Sequence, residues 1–103
     1  MTAQVKSAYE DLKYSNADEM LINARLVTEI ADQLKLRRLT QAEAAELLGF
    51  SQPKLSNLLR GQFRGVSEKK LMECLTRLGR DIEIVVRPAP RSRRAGKITV
   101  AVT

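Results

Sequence analysis

Between Leu39 and Gly61 the chain reads LTQAEAAELLGFSQPKLSNLLRG, two short amphipathic runs joined through a single glycine. Thr40 followed by Glu43 has the spacing of a capping box, in which each side chain satisfies a backbone N–H of the other's turn. The run it opens carries Ala44, Ala45, Leu47 and Leu48 and stops at Gly49. Its small alanines allow a second helix to approach closely. Ser51 can cap the next run, and Pro53 falls in that run's first turn, where no intrahelical partner for an N–H is lost. Gly61 closes the second helix.

The flanks extend the helical pattern. Asn16 with Glu19 has capping-box spacing, and Met20, Ala24, Val27, Ala31 and Leu34 recur at steps of four and three, with Ile30 widening the stripe. Lys35, Arg37 and Arg38 crowd the end of this predicted helix, where positive charge complements the dipole. Downstream, Ser67 is a predicted N-cap with Val66 and Leu71 placed as a hydrophobic staple, and Leu71, Met72, Leu75 and Leu78 form the buried face up to Gly79.

After Gly79 the period changes to two. Ile82, Ile84 and Val86 alternate with Glu83, Val85 and Arg87 until Pro88, and Ile98, Val100 and Val102 alternate again, which predicts one or two strands. The proline-containing stretch between them, with Arg91, Arg93 and Arg94, reads as a linker or a phosphate-gripping loop. A lone two-stranded ribbon is marginal in water. The strands therefore need the helical body or the same strands of a second subunit, either as an intramolecular hairpin or as a dimer contact. The expected organisation is an arm over residues 1–15, a helical domain over 16–87 that includes the strand, and a basic linker and strand over 88–103.

At 103 residues there is room for one modest core. With 44% hydrophobic and only 4% aromatic residues, that core is expected to be aliphatic and helical. Cys74 is the single cysteine and there is no histidine, which removes a zinc site and a Cys–His nucleophile. The carboxylate neighbours Asp18/Glu19 and Glu43/Glu46 are explained by helix starts and exposed faces, so no enzyme and no cofactor are expected. No apolar stretch is long enough for a signal peptide or a membrane span, and a reducing cytoplasm is the expected compartment.

Charge is uneven. Residues 1–36 carry four basic and six acidic groups, a balance of −2, whereas residues 37–103 carry fourteen and six, a balance of +8. The second part suits a polyanion.

Placing Leu55, Leu58 and Leu59 inward fixes the opposite face of their helix, which carries Pro53, Asn57 and Arg60 with Lys54 and Ser56 alongside. Gln52 projects from the helix start. Gln and Asn can bond an adenine edge, Arg and Lys suit guanine or phosphate, and Pro53 can touch a thymine methyl. The N-terminal dipole favours phosphate. The candidate DNA-binding set is Thr40, Gln41, Ser51, Gln52, Pro53, Lys54, Ser56, Asn57, Arg60 and Arg64.

The stretch quoted at the outset closely resembles the Cro/repressor-like (Xre) helix-turn-helix family, in its Thr-Gln-Ala-Glu opening, its turn glycine and the Ser-Gln start of the second helix. With ADEMLINARLVTEI before it and LMECLTRLGRDIEIVVRP after it, the chain resembles the small HigA-type antitoxins over about residues 9–88. The resemblance implies a mainly α, lambda-repressor-like bundle of about four to five helices. It implies phosphate contact at Gln41 and base contact at Gln52, Pro53, Lys54 and Asn57. It also implies a homodimer on a palindromic operator, with half-sites ~34 Å apart, and a RelE/HigB-like toxin as partner.

Two residues depart from that pattern: Pro53 stands where a polar side chain is expected, and Arg38 where a glycine is. Tyr9, Leu12 and Tyr14 are expected to contact the toxin, and Ile82, Ile84 and Val86 to contribute to the dimer. A stand-alone or phage-derived regulator, or an inhibitor that has lost DNA binding, are the alternatives to an antitoxin.

Overall fold

The structure, a computed structural model, describes residues 16–103, and the described residues form four helices. They are α1 (Asn16–Leu36), α2 (Gln41–Leu48), α3 (Gln52–Leu59) and α4 (Glu68–Arg77). The expected contact residues Tyr9, Leu12 and Tyr14 lie outside the described residues.

Local signals place the helix ends. Thr40 accepts from the Glu43 N–H at 3.1 Å while the Glu43 carboxylate accepts from the Thr40 N–H at 3.0 Å, so the capping box is formed. Ser51 and Ser67 cap α3 and α4 by accepting from the N–H groups of Lys54 and Lys70. Asn16, expected as a cap, lies within α1. Gly49 ends α2 in the left-handed region at φ 76°, where its N–H and that of Phe50 both donate to the Ala45 carbonyl. Arg38, in the loop before α2, is the one non-glycine residue with positive φ (56°) among the described residues. It holds the conformation that the glycine of the resembled pattern would adopt without strain.

The core is aliphatic. Ile30, Leu48, Leu55, Leu58, Leu71, Cys74 and Leu78 are fully buried, and Phe63 and Val66 close it below the loop that joins α3 to α4. α1 lies chiefly against α4, while α3 packs on both α2 and α1. The buried face of α1 differs from the expected stripe: Ile22, Leu26, Val27, Ile30 and Leu34 face inward, and Met20 is 58% exposed. The helix is apolar over a wide arc, and its contact with α4 selects which part of the arc is covered. Asn23 is buried on this face, and its Oδ1 has no hydrogen-bond partner.

The expected C-terminal strands are not formed: there is no strand among the described residues. The alternation at Ile82, Ile84 and Val86 is real, but a strand exists only through ladder bonds to a partner strand. Here Ile84 and Val86 are 78% and 91% exposed.

Residues 97–103 do not pair with them. Their carbonyls are taken by arginine side chains instead, with Arg25 Nε donating to Val100 O at 3.3 Å and Arg80 Nη2 to Thr103 O at 2.9 Å. Val100 packs half-buried on the helical core, and Arg80 also lies 3.6 Å from the Glu29 carboxylate. The last segment is thus tied to α1 by side chains.

Candidate nucleic-acid interface

α2 and α3 are eight residues each and meet at the Gly49–Phe50–Ser51 turn. Ala44 and Ala45, both buried, let α3 come close, and Leu55 and Leu58 at i and i+3 turn the apolar side of α3 into the core. The opposite side faces solvent. Gln52, Pro53, Lys54, Asn57 and Arg60 are exposed, Leu59 and Ser56 are half-buried, and Gln41 at the start of α2 and Arg64 after α3 are exposed. Pro53, Asn57 and Arg60 thus lie opposite the buried leucines, with Gln52 and Lys54 exposed to either side of them.

The hydroxyls of Thr40 and Ser51 have prior commitments as acceptors in their caps. As donors they remain able to meet a phosphate oxygen. The start of α3 offers fewer amides than an ideal helix N-terminus: Pro53 has no N–H, and the Lys54 N–H goes to Ser51. The Ser51 and Gln52 amides are the ones left for an anion there, so an anion at this end would lean on side chains as well.

The electrostatics sort the cations into two groups. Lys70 and Arg77, seven residues apart on one side of α4, reach the end of α2: Lys70 Nζ donates to Leu48 O at 3.0 Å and Arg77 Nη1 to Leu47 O at 3.2 Å. Two positive charges thus meet the orphan carbonyls and the negative dipole end of α2. Lys70 also stands 5.0 Å from the Phe50 ring centroid, a cation–π distance.

Arg37 Nη2 donates to Leu78 O at 2.8 Å at the end of α4, crossing the space that a Cβ on Gly79 would fill. Arg37, Lys70, Arg77 and Arg80 therefore each hold another part of the fold, and of these Arg80 also pairs with a carboxylate. The sequence places Arg37 at the end of α1 but not on the end of α4, and it does not single out Lys70, Arg77 or Arg80, although the seven-residue spacing of Lys70 and Arg77 is a visible signal. Lys54, Arg60 and Arg64 are exposed.

Glu43 is held below the usual carboxylate range, first by the Thr40 backbone N–H and then by the Thr40 hydroxyl. Burial pushes the Cys74 thiol up, against the opposing pull of Lys70 and Arg77. Among the described residues no group of three or more His, Cys, Asp or Glu side chains could hold a metal ion, and no helix is long and apolar enough to cross a membrane.

Comparison with known proteins bears on this arrangement directly. The family model described as a helix-turn-helix domain matches residues 8–87. A solved structure whose provisional name is XRE family transcriptional regulator is similar at 39% identity, over 86% of this chain and 100% of that one, with a TM-score of 0.79. No curated protein matches the chain.

Proposed function

The chain belongs to the Xre-type helix-turn-helix domain family, and we propose that it is a transcriptional repressor that binds a palindromic operator as a homodimer. The observation that carries this reading is the exposed row Gln52, Lys54, Asn57 and Arg60 on α3, opposite two fully buried leucines and braced through α2 by two cations of α4. An α-helix fits the major groove, where amide and guanidinium groups distinguish base pairs. Gln41, Thr40 and Ser51 at the helix starts, with Arg64 after α3, hold phosphate and set the register. Ile84, Val85 and Val86 supply exposed apolar surface for the second subunit.

Within this reading the protein is the antitoxin of a type II pair in the cytoplasm. It neutralises a RelE/HigB-like toxin and represses its own operon. Support comes from the HigA-like stretches 17–30 and 71–88 and from the acidic balance of residues 1–36, which complements a basic partner. Tyr9, Leu12 and Tyr14 provide the apolar part of that contact.

The test is selection of fragments of the native genome by the purified protein at about physiological salt, where non-specific binding is weak. The expected result is enrichment of a palindrome with half-sites about one helical turn apart, upstream of the protein's own gene. Fragments recovered without a common sequence would overturn the repressor reading. For the antitoxin role, the neighbouring gene should encode a small basic protein that arrests growth alone and is silenced by co-expression. Unrelieved arrest would leave a regulator without a toxin.

A further inference from the structure

One side-chain pair on α3 changes what its face can read. Arg60 Nη2 donates to Asn57 Oδ1 at 2.7 Å, between two exposed residues three positions apart. A guanidinium has donors and no acceptor, so the Asn57 atom facing it must be the oxygen. This settles an amide orientation that sequence leaves open. The root of Arg60 is also fixed, because its N–H bonds back to the Ser56 and Asn57 carbonyls at the end of α3.

A free asparagine presents a donor beside an acceptor, which complements the N7 acceptor and N6 donor of adenine. With Arg60 attached, one lone pair of the Asn57 oxygen is taken and the other lies beside a positive group, which disfavours the approach of a further donor. The unit's remaining hydrogen-bonding atoms are then mainly donors: the Asn57 Nδ2 hydrogens and the uncommitted N–H groups of Arg60. Guanine offers two acceptors on its major-groove edge, O6 and N7, whereas the adenine N6 hydrogens would meet another donor.

We infer that Asn57 and Arg60 act as one coupled unit that selects guanine over adenine at its base pair in the operator half-site. This rests on α3 being the recognition helix. Arg60 here determines specificity twice, by contacting the base and by orienting Asn57.

The test uses the full chain. Duplexes are selected from a randomised library by the wild type, and every base pair of the selected half-site is then substituted in turn. Affinities are measured for the wild type, Asn57→Ala, Arg60→Ala and Arg60→Lys, with thermal melts confirming the fold of each.

The expected result is one G·C position where change to A·T weakens the wild type by about tenfold or more. At that position alone Arg60→Ala abolishes or reverses the preference, because Asn57 regains its acceptor. Arg60→Lys, lacking the planar fork, does not restore it fully.

The inference is overturned if Arg60→Ala weakens all sequences equally and lowers the salt dependence, the mark of a phosphate contact. It is also overturned if the position desensitised by Asn57→Ala prefers A·T in the wild type. A library from which the wild type selects no sequence would overturn the recognition-helix reading itself, and this inference with it.

Discussion

α2 and α3 have the same length and the same kind of hydroxyl cap, and each buries at least one leucine completely, yet their polar atoms are used in opposite ways. In α2 they close the fold. Thr40 and Glu43 satisfy each other's backbone, and the last carbonyls accept from Lys70 and Arg77. In α3 the cap is the only service to the fold, and the exposed row bonds within itself through Arg60 and Asn57.

The largest expected effect treats the two helices alike. Leu48→Ala and Leu55→Ala each empty a fully buried site, and each should lower unfolding free energy by about 2–5 kcal/mol in denaturant titrations. An effect on one helix only would break the symmetry of their packing.

The next separates them. Gln52→Ala with Asn57→Ala should weaken binding to the selected operator by about tenfold or more, while unfolding free energy stays within about 0.5 kcal/mol, as for surface substitutions elsewhere. Equal loss of stability and binding would mean that α3 is structural too.

Thr40→Ala should do the reverse on a smaller scale. It should cost about 1 kcal/mol of stability and leave the base preference unchanged even where affinity falls, since Thr40 touches no base in this account. A changed preference would move α2 into the reading surface.

The smallest effect concerns Glu43. Its folded pKa is lowered by the Thr40 N–H and hydroxyl, so its contribution is present above the ordinary carboxylate value of the unfolded chain and is lost as pH falls through the folded one. Acid titration of stability should show a shallow decline in that window for the wild type and a weaker one for Glu43→Gln. Identical profiles would show that the carboxylate's cap matters little.

Sequence legibility followed the range of the interactions. The caps at Thr40, Ser51 and Ser67, the left-handed Gly49 and the outward face of α3 are set within four residues of chain, and the sequence announces them, whereas the left-handed Arg38 is signalled only by the resemblance. The buried side of α1 was legible in part: Val27, Ile30 and Leu34 are buried as the period expects, whereas Ile22 and Leu26 rather than Met20 complete the face, because two overlapping apolar stripes satisfy the same period and the packing of α4 chooses between them. The C-terminal alternation misled because a strand is a property of two segments, and arginines 25 and 80 take the carbonyls that a ladder would use. The bracing of α2 and the Arg60–Asn57 pair depend on where side chains end, which spacing suggests but does not determine.

The contact surface itself is most directly observed by following backbone amide resonances of the labelled protein as operator duplex is added. The account predicts the largest shifts at Gln52–Arg60, with further ones at Thr40, Gln41 and Arg64. Shifts concentrated on α1 or residues 80–103, with α3 unmoved, would contradict it.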